Sequence, residues 1–317
     1  MLHRVIPIFI PEKACPYRCI YCNQFAIAGQ QHVPSIAEAK QAIDQHLATI
    51  PAEAEKRIAF FGGSFTGMPI DEQTEYLAMV QPYLQAGVVS GIQLSTRPDY
   101  INQEILDNLK RYGVSVIELG AQSLDDDILK RAGRGHTVQQ VREAARLITG
   151  NGFQLGLQMM IGLPGDTKEK ALHTAKLIQE FGASCTRIYP TLVVEDTVLA
   201  KLYRTGKYQP LTLEQAVDWT KDLYRFFTEQ GITILRIGLH PSEGLLSGKD
   251  YLAGPFHVSF KELVLTALWH DKIAEAVHGH DGEEVVIDVP AHEINYAVGY
   301  GSANKKAFPS VKFKMER

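Results

Sequence analysis

Along the chain, short apolar runs alternate with longer stretches in which apolar positions recur every three or four residues, the pattern of strands and helices winding a parallel sheet. HRVIPIFI (His3 to Ile10) predicts the first strand. Ser35 suits the cap of a following helix, with Ile36, Ala39, Ile43 and Leu47 at helical spacing. RIAFFGG (Arg57 to Gly63) is the second strand, and its helix begins near Asp71 with Leu77, Val80 and Leu84 on one face. GIQLSTRP (Gly91 to Pro98) is the third; Ile101, Ile105 and Leu109 mark the next helix, which Gly113 is placed to end. VIELGAQS (Val116 to Ser123), FQLGLQMMIGLP (Phe153 to Pro164) and TRIYPTLV (Thr186 to Val193) are the fourth, fifth and sixth. A weaker seventh, ITILRIGLHP (Ile232 to Pro241), follows a helix from about Leu213 to Phe227.

Six clear strand-helix repeats fall short of a closed eightfold barrel. The expected fold is therefore α/β, a partial (β/α)6 TIM-like barrel, with a doubly wound open sheet as the alternative. Residues 1–230 are expected to form the barrel and residues 231–317 a small α/β extension. In the latter a helix from Ser259 to Val277 leads through HGHDGE to a strand-like EVVIDVP and a basic tail with Lys305, Lys306, Lys312, Lys314 and Arg317.

Composition constrains this picture without redirecting it. Of 317 residues, 45% are hydrophobic and 21% charged, which excludes a disordered or fibrous chain. A formal charge of -4 does not by itself imply a nucleic-acid partner. No run has the length of a membrane span, and MLHRVIPIFIPEK lacks the apolar length and cleavage site of a secretory signal. A cytoplasmic setting with no membrane partner is expected.

The cysteines supply the chemistry. Three of the four, Cys15, Cys19 and Cys22, lie within CPYRCIYCN, while Cys185 stands alone downstream. Structural zinc wants four protein ligands, usually as two close pairs, and no second pair exists here. A four-iron cluster held by three thiolates keeps one iron open for something other than protein. The C-x3-C-x2-C spacing with Tyr21 before the third cysteine resembles the signature of the radical S-adenosylmethionine (SAM) superfamily. That resemblance implies a 4Fe-4S cluster on Cys15, Cys19 and Cys22, with SAM chelated to its open iron and split into methionine and a 5'-deoxyadenosyl radical. It also implies an electron donor such as flavodoxin or ferredoxin.

SAM needs partners from several strand ends. Gly62 and Gly63 permit close backbone approach, Ser64 offers a hydroxyl, and the pair resembles the family's glycine motif. In oxygen-independent coproporphyrinogen oxidases of the same superfamily, a Gln and a downstream Arg contact SAM, which assigns those roles to Gln122 and Arg134, with Ser123 beside them. Tyr21, Ser95 and Glu118 complete the expected cofactor set. Strand alternation puts Glu118 on the face of Gln122, where it accepts from a ribose or from a strand neighbour.

STRPDYI, ELGAQS, RGHT, MMIGLP, RIYPTLVV and LYRTGKY, in order, resemble the radical SAM core of the Elongator catalytic subunits, which modify wobble uridine in tRNA. The match runs from about Cys15 to Tyr208 and implies tRNA or another RNA as substrate. Ser95, Gln158 and Ile161-Gly162 depart from that family's pattern, and no room is expected for its acetyltransferase domain. Two residues are candidates for substrate chemistry. Arg97 holds a phosphate or carboxylate, or else pairs with Asp99; Tyr189 relays a hydrogen atom or stacks on a base, or else is simply packed. Cys185 is expected to be a small buried hydrophobe and His136, His240 and His257 to be structural. VGYGSANKKAF (Val298 to Phe308) faintly resembles the glycine loop of KH-type domains; a basic, frayed terminus is the competing expectation. Radical chemistry on a small molecule such as a tetrapyrrole precursor, or a non-catalytic cluster scaffold, are the alternatives to RNA modification.

Overall fold

The seven apolar runs between His3 and Pro241 supply the strands of one parallel sheet in the computed structural model, which describes residues 3–15, 19–30, 32–280 and 284–316. Strands β1 (His3–Ile10), β2 (Glu55–Gly62), β3 (Gly91–Thr96), β4 (Val114–Gln122), β5 (Gln154–Ile161) and β6 (Cys185–Pro190) lie side by side in chain order. Pro190 and Thr191 end β6, and the run's last residues form the separate β7 (Val193–Val194). The weaker seventh run becomes β8 (Thr233–Ile237), paired in parallel with β6, so the sheet has seven strands rather than six. Among the described residues β1 and β8 have no partner on their outer sides, which makes the sheet a curled half-barrel of the expected class.

Alternation along each strand sorts the two faces. Ile6, Ile58, Ile92, Ile117, Leu157 and Ile188 point outward, fully buried. Against them pack Ile43, Leu77, Leu109, Ile148, Ile178 and Phe227 from the surrounding helices. Capping follows the local chemistry. Ser35 accepts from the Glu38 amide and Glu38 bonds back, a capping box opening the helix Ile36–Thr49. Gly113, at φ +77, follows the end of helix Gln103–Arg111.

The expected division at 230/231 falls just before β8, which remains hydrogen-bonded to the barrel sheet. After it, β9 (Tyr251–Ala253) pairs antiparallel with β7. The helix Phe260–Val277 then lies along helix Leu213–Glu229, where Asp271 meets Lys221 at 2.8 Å and Arg225 at 2.9 Å. Its far end builds a second small core from Trp269, Ile273, Val289, Ala297 and Val311 beneath a parallel pair, β10 (Val285–Val289) and β11 (Val311–Met315). That pairing brings two lysines of the basic tail to acids: Lys312 meets Glu284 at 2.6 Å and Lys314 meets Asp288 at 3.5 Å. Arg317 lies outside the described residues.

Candidate active site

Every strand of the half-barrel points its carboxyl end the same way, and the cysteine loop that follows β1 lies across those ends. Hydrogen bonds pin it on three sides. The Gln24 side-chain oxygen accepts from the Glu12 amide at 2.5 Å and from the Gly63 amide at 2.7 Å. Ile20 donates to the Ala132 carbonyl at 3.2 Å and accepts from the Leu199 amide at 2.7 Å. Ser64 donates its amide to the Lys13 carbonyl at 3.0 Å. The glycines matter here because of the loop. A Cβ on Gly62, whose φ is +90, would sit 2.9 Å from the Ile10 carbonyl carbon, and one on Gly63 would collide with the Lys13 carbonyl oxygen.

The three thiols stand at the mouth in different settings. Cys15 is exposed, with its sulfur 3.9 Å from the Ser64 hydroxyl. Cys19 is buried, and its sulfur accepts from Arg134 Nη1 at 3.1 Å. Cys22 donates its amide to the Cys19 carbonyl at 3.0 Å, and burial, followed by the charges of Cys19 and Cys15, pushes its thiol up to about 12. Burial likewise raises Cys15. Cys185 is buried at the opposite end of the barrel, where β6 begins.

Arg134 joins the loop to the sheet. Its Nη2 donates to the Gly120 carbonyl at 2.6 Å, and its Nη1 also reaches the Tyr21 hydroxyl at 3.5 Å. Burial works against the guanidinium's charge, but Tyr21 and Cys19 outweigh it and hold the pKa above its ordinary value. Behind it Arg97 is buried, donating to both Asp99 oxygens at 2.9 Å and to the Arg134 carbonyl at 2.7 Å. Arg97 forms the pair with Asp99, and its bond to the Arg134 carbonyl ties it to the backbone of that residue. His136 is buried beside them; burial first, then the charges of Arg134 and Arg97, lower its pKa to about 3.

Gln122 reaches the site by an irregular route. One extra residue between Leu119 and Gln122 breaks the register of β4 on β5, and Gln122 takes a left-handed φ of +64. Simple alternation from Glu118 therefore does not place Gln122. Gly120, which the sequence reading passed over, makes the room: a Cβ there would lie 2.9 Å from the Gln122 amide nitrogen and 3.3 Å from Arg134 Nη2. Ser123 is buried next to it, its amide on the Ala121 carbonyl at 2.8 Å.

Glu118 lies deeper and makes contacts with strand neighbours. Arg187 donates to its two oxygens at 2.6 and 3.0 Å, Gln158 adds a bond at 3.1 Å, and Gln93 a fourth. Ser95 accepts from Gln158 at 2.9 Å, which leaves its own proton to donate. Tyr189, half-buried on the inner face of β6, lies within electrostatic reach of Arg187, Glu118 and Arg236. The sequence reading missed Arg187, Gln93 and Gln24. Their signal was a polar residue at an inward position of an otherwise apolar parallel strand, or, for Gln24, none.

The residues fit the implied cofactors. No group of three His, Cys, Asp or Glu among the described residues gathers tightly enough for a single metal ion. Three soft thiols on one loop suit an iron-sulfur group instead. Beside them Gln122 Oε1 and Arg134 Nε are buried with no hydrogen-bond partner, an acceptor and a donor that a polar ligand would satisfy.

A half-barrel with a three-cysteine loop across its carboxyl ends defines an enzyme class. The radical SAM superfamily profile matches residues 10–178 and the Radical_SAM C-terminal domain residues 183–270. The chain belongs to the radical SAM superfamily and is a radical SAM enzyme.

Its similarity to Elongator-type proteins runs through this core. It is 29% identical over 243 residues to the tRNA uridine(34) acetyltransferase of Dehalococcoides mccartyi, covering 65% of this chain and 53% of that one. With Elongator complex protein 3 of Saccharomyces cerevisiae it shares 36% identity over 157 residues, 49% of this chain and 27% of the relative. The chain thus spans about half or less of the length of these relatives. The archaeal Methanocaldococcus infernus Elp3 with an N-terminal deletion shares the fold, at a TM-score of 0.66 and 19% identity over 86% of this chain and 64% of that one.

Proposed function

We propose that this enzyme reductively cleaves SAM at a 4Fe-4S cluster on Cys15, Cys19 and Cys22 and uses the radical so formed to modify tRNA. When bound, the cluster would supply the electron that splits the sulfonium into methionine and a 5'-deoxyadenosyl radical. The observation that carries the reading is the Arg134 guanidinium, which touches Cys19, Tyr21 and the Gly120 carbonyl at once, beside the orphaned Gln122 oxygen.

The chain's own groups divide the work. Gln122 and Arg134 offer an acceptor and a donor to the amino-acid end of SAM, and Ser64 and Ser95 offer hydroxyls. Tyr21 lines the wall between cluster loop and Arg134. The Glu118 network holds the barrel interior rigid below the reacting centre, and Phe61, under Arg187 at 4.8 Å, helps exclude water. The reductant is a flavodoxin or ferredoxin. No helix among the described residues is long and apolar enough to cross a membrane.

tRNA as substrate is supported by the names of the relatives, of which three are tRNA uridine(34) acetyltransferases. Two assays test the reading. Anaerobic protein supplied with iron, sulfide, reductant and SAM should release 5'-deoxyadenosine; none would remove SAM cleavage. Nucleosides of bulk tRNA from cells with and without the gene should differ; identical profiles would redirect the substrate search to small molecules.

A further inference from the structure

Among the described strand residues three arginines face the interior of the half-barrel, and two have a carboxylate of their own. Arg57 bonds Glu55 at 3.1 Å, and Arg187 is clasped by Glu118. Arg236, on β8, stands in register directly beside Arg187 on β6. Among the described residues it pairs with no carboxylate, and its hydrogen bond is Nε to the Gly238 carbonyl at 3.1 Å. Both terminal nitrogens of its guanidinium are thus left without a protein acceptor, although the residue is half-buried next to a second cation. Partial desolvation and the neighbouring Arg187 both disfavour its charge, and an anion reaching those nitrogens would offset them.

The surroundings suit that anion. Tyr189, two residues beyond Arg187 on the same strand, feels the charge of Arg236. His240 lies close enough that burial and Arg236 together depress its pKa. Arg236 also lines a groove of about 580 Å3 along the unpartnered edge of β8, together with Gly238, Leu239, His257 and Lys261. A planar fork with two free edges matches a carboxylate or phosphate better than a point charge does.

We propose that Arg236 is an anion-recognition residue that holds a carboxylate or phosphate group of the substrate at the open edge of the barrel, with Tyr189 and His240 beside it. The proposal rests on the reading of the barrel interior as the substrate chamber of a radical SAM enzyme. Its selectivity comes from imbalance: the other inward arginines are already neutralised, so an anionic group is drawn to this one.

The test is anion binding by the anaerobically prepared full chain, followed as a thermal shift in sodium phosphate or sodium acetate against sodium chloride of equal ionic strength. At least one of the first two should raise the midpoint beyond chloride, and Arg236→Gln should weaken that response about tenfold or more. A response to phosphate alone assigns a phosphoryl group, and to acetate alone a carboxylate; either upholds the proposal. No response in the wild type, or an equal one in Arg236→Gln, overturns it. Should that variant fail to fold, phenylglyoxal labelling of the wild type decides: protection of Arg236 by phosphate or acetate upholds the site, and undiminished labelling removes it. Neither readout involves SAM, so a failure here is separate from a failure of SAM cleavage.

Discussion

Arg134 Nη1 lies 3.1 Å from Cys19 Sγ although 115 residues separate the two in the chain. One side chain therefore links the end of β4 to the cluster loop, and the loop's position depends on the sheet as much as on its own sequence. Arg134→Lys keeps a charge but loses the fork that spans Cys19 and the Gly120 carbonyl.

The cysteines should separate cleanly by iron content. Reconstituted wild type should hold about four irons per chain, and Cys15→Ala, Cys19→Ala and Cys22→Ala should each lose most of them and the spectral response to SAM. Cys185→Ala, buried at the far end of the barrel, should keep both. Iron analysis with electron paramagnetic resonance reads the difference.

Gly63→Ala should be far more damaging than its size suggests. Its Cβ would meet the backbone of Lys13 and Ile10, which cannot swing away as a side chain would. A loss of roughly 2 kcal/mol or more is expected, with a displaced cysteine loop. Gly206→Ala is the control: its φ is +69 but nothing lies within 4 Å, so it should cost only about 1 kcal/mol. Urea denaturation of both variants provides the comparison.

Glu118→Ala should strand Arg187 in the barrel, since both carboxylate oxygens of the pair are lost together. Removing one member of a buried pair costs about 3–5 kcal/mol, while replacing both by apolar residues of similar volume is often neutral. Glu118→Leu with Arg187→Met should therefore recover much of the stability lost in Glu118→Ala. Equal instability of the single and double variants would show that the pair is not coupled.

His136 gives the fold an acid-sensitive point. Its folded pKa, about 3, lies well below the unfolded value of about 6.5, so the unfolded chain takes up a proton more readily. The contribution is whole above pH ~6.5 and is lost as the pH falls toward 3. His136→Asn, which cannot take up that proton, should show a shallower decline in denaturation midpoint between pH 7 and 4.

Much of this was legible in the sequence because it is local. The cysteine spacing, the glycine pair after RIAFFGG, the capping Ser35 and the outward faces of the strands follow from near neighbours. What was missed depends on tertiary contacts. The seventh run was weak as a pattern because β8 is an edge strand with a mixed outer face, yet it completes the sheet. Pro190 divided the sixth run in a way that hydrophobicity alone does not reveal. Gln122 arrives through an inserted residue and a left-handed turn, which even spacing from Glu118 cannot anticipate. The bond from Arg97 to the Arg134 carbonyl joins residues 37 apart in the chain, a contact that neighbouring sequence does not announce. That Lys312 and Lys314 of the basic tail meet Glu284 and Asp288 depends on the pairing of β10 with β11, which composition does not reveal.

The unclosed seam also bears on how the molecule coexists with copies of itself. β8 offers outward-facing amides and carbonyls, a template on which another chain's strand could add. It runs for only five residues, is bracketed by Gly231 and Gly238, and is overlooked by Lys261 and Glu262. So brief and charged a border discourages sheet-to-sheet fusion.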